Sequence, residues 1–121
     1  MPRAPLRPVV YDATRDVVRV LDQRRLPGEE VWLDLASAEQ VVQAIKDLTV
    51  RGAPAIGVAA AYGLAVEARR GANPHRLREA AERLAHARPT AVNLGWAVRR
   101  MTRRLGLPAV EVLAEANAIR D

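Results

Sequence analysis

The sequence predicts an α+β domain: a small antiparallel β-sheet over about residues 8–35, followed by a helical bundle of about five helices. Three observations carry this. Alternating, β-branched stretches are confined to the first third of the chain. From Ser37 onward the apolar residues recur at helical spacing. Aromatic residues are few, with Trp32, Trp96, Tyr11, Tyr62 and no Phe. The core is therefore filled with Ala, Val and Leu, a composition that suits close helix packing better than a β-sandwich.

The elements follow in order. Residues 1–8 hold three prolines and two arginines and read as an extended arm. The stretch at Val9, "VVYD", then "VVRVLD" from Val17 to Asp22, then "EVWLDL" ending at Leu35, read as three strands, with a turn at Leu26-Pro27-Gly28. Ser37 with Gln40 three residues on is a capping-box start. Val41, Ile45 and Leu48 mark the face of a first helix expected to end near Thr49. Pro54 opens a second, expected to run to about Arg70 and stop at Gly71. Asn73-Pro74 starts a third, striped by Leu77, Ala81 and Leu84 and broken at Arg88-Pro89-Thr90. A fourth carries Leu94, Ala97 or Val98, Met101 and Leu105 and is expected to stop at Gly106. Pro108 starts a fifth, with Val112, Leu113, Ala116 and Ile119 inward. Beyond the arm, residues 9–121 read as one domain, with sheet 9–35 and bundle 37–121. The last helix is still in phase at Asp121, so the sequence reads as one cut off rather than finished.

Composition narrows the function. The formal charge is +5, with Lys46 the only lysine. The arginines are scattered apart from Arg99, Arg100, Arg103 and Arg104, with no aromatic interleaved among them. That pattern reads as a solvated helix face rather than a nucleic-acid surface. There is no cysteine, hence no disulfide and no thiolate metal site within these residues. The start carries no secretory signal, and the longest uncharged apolar run, Ala53 to Val66, is short of the roughly 20 residues a membrane span needs. A cytoplasmic protein with no membrane partner is expected. His75 and His86 have no carboxylate at a ligand spacing, so no metal is expected. No catalytic Ser/His/Asp set, carboxylate pair, P-loop or dinucleotide fingerprint is present.

Chemistry concentrates in "TVRGAPAIGVAAAYGLAVEA", where one arginine stands at the mouth of an uncharged helix. A helix N-terminus offers unpaired N–H groups and a partial positive charge to an anion. Gly52 frees the backbone, Ala53 keeps the approach clear, Pro54 sets the first turn, and Arg51 adds a bidentate donor. The alternative is a plain interhelical turn with Arg51 paired to Asp47 or a carbonyl. Gly57 and Ala61 are spaced to admit a second helix, and Tyr62 reads as a packing residue with one hydrogen bond. "ARPTAVNLGWA" repeats the logic, with Arg88 before a proline and a capping Thr90; two adjacent helix starts would let Arg51 and Arg88 share one anion. Asn93 either touches that ligand or is satisfied by neighbouring backbone. Gln23, in "LDQRRLP", either reaches the site or belongs to a turn with Asp22.

These three segments, in this order, resemble the N-terminal region of the methylthioribose-1-phosphate isomerase family, whose wider kin include ribose-1,5-bisphosphate isomerases and regulatory subunits of an initiation-factor exchange complex. The resemblance covers roughly residues 8–121. It implies a sheet-plus-helix domain joined to a larger Rossmann-like C-terminal domain that is absent from these residues. It implies conversion of 5-methylthioribose 1-phosphate to 5-methylthioribulose 1-phosphate in methionine salvage, without cofactor or metal, by a homodimer. Substrate contacts map to Arg51, Gly52, Ala53 and Arg88, with Asn93 and Gln23 behind them. The family assigns catalysis to a cysteine and an aspartate of the C-terminal domain. No catalytic residue is therefore placed here, and the chain alone is expected to be inactive. The rival readings are a ribose-1,5-bisphosphate isomerase, a non-catalytic regulatory module and, last, nucleic-acid binding through Arg99–Arg104.

Overall fold

The computed structural model describes residues 8–121. The expected arm lies outside them except for Pro8, whose carbonyl accepts a hydrogen bond from Leu21 N at 2.9 Å. Strands β1 (Val9–Asp12), β2 (Val17–Leu21) and β3 (Trp32–Leu35) form an antiparallel meander with β2 central. Its register pairs Val9 with Val20 and Val18 with Leu35. Alternation on β2 is weak, since Val17, Val18, Val20 and Leu21 are all buried and only Arg19 points partly out. Five helices follow: α1 (Ala38–Lys46), α2 (Ala53–Arg69), α3 (Pro74–Ala85), α4 (Val92–Thr102) and α5 (Ala109–Arg120).

Local chemistry explains most boundaries. Ser37 accepts from Gln40 N at 3.2 Å, while the Gln40 side chain reaches back to Ala36 N. Glu67 of α2 adds a second cap, accepting from Ala38 N at 2.8 Å. Asn73 caps α3 through Arg76 N, with Pro74 in the first turn. Gly71, at φ 93°, follows the end of α2 in a conformation that favours glycine. α1 stops three residues earlier than its apolar spacing suggests. Leu48 takes a left-handed φ of 68°, and Val50 N turns back to Ala44 O at 3.1 Å.

α4 differs at both ends. It was expected to follow a capping Thr90, to carry Leu105 and to stop at Gly106, but it spans Val92–Thr102. Ala91 N bonds back to Arg88 O at 2.9 Å, so Arg88–Ala91 is spent in a turn and Thr90 caps nothing. At the far end Arg104 N, Leu105 N and Leu107 N make tight three-residue returns. Leu105 is still buried, but in that turn.

α2 is the hub. From Ile56 to Val66 every residue except Val58 is buried, as expected of a helix apolar all round. α1, α3, α4, α5 and the sheet all pack on it. Its small residues set the distances. A Cβ at Gly57 would stand 3.2 Å from the Asn93 carbonyl and 3.4 Å from the Ala97 Cβ, so α4 crosses there at close range. A Cβ at Gly63 would stand 3.2 Å from Val41 Cγ2 of α1. Tyr62 stacks on Tyr11 with ring centroids 5.5 Å apart and donates to Asn117 Oδ1 at 2.6 Å, joining α2 to the sheet and to α5. Burial and the adjoining Asp16 carboxylate push the Tyr11 hydroxyl up to about 12, so it stays a donor, to Asp16 at 2.6 Å. No helix among the described residues is long and apolar enough to cross a membrane.

Gly57→Leu is expected to force α4 off α2 and lower the unfolding free energy by about 1–3 kcal/mol. Urea unfolding checks this; an unchanged midpoint would show that the crossing tolerates a side chain.

Candidate functional site

The mouth of α2 is built by the segment before it. Gly52 is the N-cap, at φ 95° and ψ 131°, with no side chain to cap the helix. A Cβ there would meet nothing within 4 Å, so the dihedral, rather than crowding, asks for glycine. Pro54 has no N–H, and Ala53 N and Ala55 N donate no hydrogen bond among the described residues. Two donors thus point out of the positive end of a 17-residue helix.

The "LDQRR" segment buttresses this mouth. Gln23 N donates to Thr49 O at 2.9 Å, and Asp22 N donates to Val31 O at 2.8 Å. The Asp22 carboxylate is 1 % exposed and receives Arg24 N at 3.0 Å and Arg24 Nε and Nη2, both at 2.9 Å. Hydrogen bonding from the Arg24 side chain holds the Asp22 carboxyl below the usual carboxylate range, against the opposing effect of burial. Arg24 also faces Asp47 at 3.6 Å, and Asp47 takes the Thr49 N–H and hydroxyl at 3.0 and 2.6 Å. Asp47 is thereby occupied, and Arg51 is not its partner. Exposed Arg51 makes one long hydrogen bond, Nη2 to Gln23 O at 3.4 Å. Gln23 lies in the turn Gln23–Arg25, and its backbone touches both Thr49 and Arg51.

Two hollows open beside the mouth. One, of about 420 Å³, is bordered by Pro8, Val9, Gly52, Ala55 and others. The second, of about 470 Å³, lies among α2, α4 and α5. They share Pro54, Val58 and Arg120, so they adjoin. Gly52 borders the first; Ala53 and Asn93 border the second. The first turns of α2 and α4 do meet at a common hollow, where Asn93 sits against Gly57. Asn93 is exposed there, and its amide makes no hydrogen bond among the described residues, contrary to the backbone-satisfied reading.

Neither Arg51, Gln23 nor Arg88 borders either hollow. Arg88 is half-buried in the turn before α4, not directly at its mouth, and its guanidinium has no partner among the described residues. The cations lining the second hollow are Arg99, which the sequence places on a solvated helix face, and Arg120, which the sequence did not single out. Arg99 lies back along α4, its Nη1 3.2 Å from where a Cβ of Gly95 would be. Arg120 bonds Asp121, Nε to Oδ1 at 2.9 Å. Trp96, also missed, is 48 % exposed beneath Arg100, whose guanidinium carbon is 5.4 Å from the ring centroid. A signal was available: Val92 and Trp96 fall out of phase with the buried Leu94, Ala97, Val98 and Met101. His75 and His86 are exposed, near Glu79 at 3.8 Å and Glu82 O at 2.8 Å respectively.

A sequence profile of the initiation factor 2 subunit family matches residues 49–119, from just before the mouth of α2 to the end of α5. The chain belongs to this family. Within the family, the chain is 81 % identical over 117 residues to a methylthioribose-1-phosphate isomerase from Anaeromyxobacter sp. (strain Fw109-5), covering 97 % of this chain and 35 % of that protein. The crystal structure of 5-methylthioribose 1-phosphate isomerase from Pyrococcus horikoshii OT3 superposes with TM-score 0.82 at 37 % identity, covering 97 % of this chain and 36 % of that one. The delta subunit of translation initiation factor eIF-2B from A. fulgidus superposes with TM-score 0.77 at 35 % identity, covering 95 % and 36 %. The chain thus spans about a third of the length of these relatives.

The depressed Asp22 carboxyl has a pH consequence. Its stabilisation is fully present above the unfolded aspartate value of about 3.9 and is lost as pH falls through the lower folded value. Asp22→Asn is expected to reduce that acid-side loss while lowering stability at neutral pH. Denaturant midpoints measured from pH 6 to pH 2 check it; parallel curves for the two proteins would refute it.

Proposed function

We propose that this chain is the phosphate-binding part of an aldose–ketose isomerase that converts 5-methylthioribose 1-phosphate to 5-methylthioribulose 1-phosphate. The 81 % identity across nearly the whole chain to a relative of that name carries the reading. The uncapped mouth of α2 behind Arg51 supports it, because that mouth suits an anion.

The substrate's phosphate blocks the anomeric oxygen through which an ordinary aldose would open its ring. The first task of a site is then to hold the phosphate while hydrogen moves between C2 and C1. The N–H groups of Ala53 and Ala55 supply neutral donors along the helix axis. Arg51 is held by a single long bond and is available for a charge-assisted contact. Arg88 is a second available guanidinium, and Asn93 offers an amide at the shared hollow. Proton transfer falls to residues outside this chain, which has no cysteine. The reading places the intact enzyme in methionine salvage, in the cytoplasm, as a homodimer, with no nucleic-acid or membrane partner. The initiation-factor likeness, at 35 % identity, ranks a non-catalytic module behind it.

A graft tests this: the full-length Anaeromyxobacter relative with this chain in place of its matched 117 residues. The graft is expected to isomerise the sugar, and the isolated chain to turn over nothing. Arg51→Ala in the graft should lower kcat/KM roughly 10- to 100-fold, the loss of a charged hydrogen bond. Arg51→Lys should recover only part, lacking the planar fork. An inactive graft, or an Arg51→Ala variant equal to its parent, would end the proposal.

A further inference from the structure

The backbone of Gln23 is bonded in two directions. Its N–H donates to Thr49 O at 2.9 Å, and its carbonyl receives Arg51 Nη2 at 3.4 Å. Gln23 opens the short turn Gln23–Arg25, whose N-cap is Asp22. The buried Asp22 carboxylate locks that turn. Its Oδ1 accepts Arg24 N at 3.0 Å and Arg24 Nε at 2.9 Å, and its Oδ2 accepts Arg24 Nη2 at 2.9 Å. A forked arginine–carboxylate pair fixes the orientation of both partners. The remaining corner of the same guanidinium, Nη1, faces Asp47 at 3.6 Å, and Asp47 holds the Thr49 N–H and hydroxyl. Contacts therefore lead from Asp22 and Arg24 to both sides of Gln23, and from Gln23 to Arg51. Arg25 has a looser hold: its Nε stands 3.4 Å from Asp22 and its Nη1 3.4 Å from Glu29.

We propose that Arg24 is a positioning residue for the sugar phosphate: its fork on Asp22 fixes Gln23, and the Gln23 carbonyl holds the Arg51 guanidinium at the mouth of α2. This rests on the isomerase reading above. A long side chain that is free in solution loses rotamer freedom when it grips a ligand, and one already tethered loses less. The tether is a neutral carbonyl at long range, so Arg51 keeps its charge and its remaining donors for an anion. Arg24 itself borders neither hollow, and its charge is spent on Asp22 and Asp47. Its effect on a ligand therefore passes through Arg51. Arg25 still reaches Asp22 when Arg24 is removed, so the buried carboxylate keeps a partner and the domain can fold without the fork.

The test is a double-mutant cycle in the full-length graft, with methylthioribose 1-phosphate as substrate. Arg24→Ala is expected to raise KM about tenfold, as misplacing a contact group does, while kcat moves less than about twofold. In an Arg51→Ala background the same change should cost less than about twofold, because the group that Arg24 positions is gone. Arg25→Ala removes an equal charge one residue away and should leave KM within about twofold, which separates positioning from a general loss of positive charge. Arg24→Lys keeps the charge without the fork and should fall between parent and Arg24→Ala. It also carries the cycle if far-UV circular dichroism shows Arg24→Ala unfolded. An unchanged KM, a loss of the same size with and without Arg51, or an equal loss from Arg25→Ala would overturn the assignment. A graft that does not isomerise at all would instead remove the isomerase reading on which the assignment stands.

Discussion

Where α4 crosses α2 the helices lie so close that a Cβ at Gly57 would stand 3.2 Å from the Asn93 carbonyl and 3.4 Å from the Ala97 Cβ. This contact brings the first turns of two helices to one hollow. It also makes α2 the centre of the domain, since a helix packed on every side must present small or apolar residues on every side. Charges are confined to its ends, Arg51 just before it and Glu67, Arg69 and Arg70 at its close. Glu67 is used internally, capping α1. Arg69 and Arg70 reach the Asp16 turn of the first hairpin. Only the N-terminal end is left with unpaired donors and a guanidinium held by one long bond.

That end is held still by a polar network placed behind it. Asp22 is buried and would be costly without partners. Arg24 supplies them on three sides, and the same arginine reaches Asp47, which fixes Thr49. The Thr49 carbonyl in turn takes Gln23 N. The chain between α1 and α2 is thereby pinned to the strand end before Gln23, and Gly52 is delivered in a conformation that other residues rarely adopt. The division of labour is electrostatic. Carboxylates satisfy Arg24 and Arg25 on the inner side of the segment. Among the described residues no carboxylate pairs with Arg51, which keeps only its long bond to the Gln23 carbonyl.

The family profile begins at Thr49 and ends at Ile119, so the mouth of α2, the α4 crossing and α5 form the shared unit. The sheet and α1 lie before it, yet they contribute the Asp22 buttress, the Tyr11 stack and the capped N-terminus of α1. Likeness both to an isomerase and to an initiation-factor subunit is what such a unit permits. A helix mouth facing a hollow is a place to hold a ligand, and the fold alone does not say which chemistry follows.

The sequence by itself determined the order of elements, the starts of α1, α3 and α5 and the buried character of α2. Each of these depends on neighbours within a turn: Ser37 with Gln40, Asn73 with Pro74, Pro108, and an unbroken run of small apolar residues. It misjudged α4 because Pro89 and Thr90 suit a turn as well as a helix start, and only the Ala91-to-Arg88 hydrogen bond chose between them. The partner of Arg51, the open placement of Asn93, and the appearance of Trp96, Arg99 and Arg120 around one hollow were decided by tertiary structure alone. Each depends on how three helices far apart in sequence approach one another, and a spacing rule written along one helix carries no distance to the next.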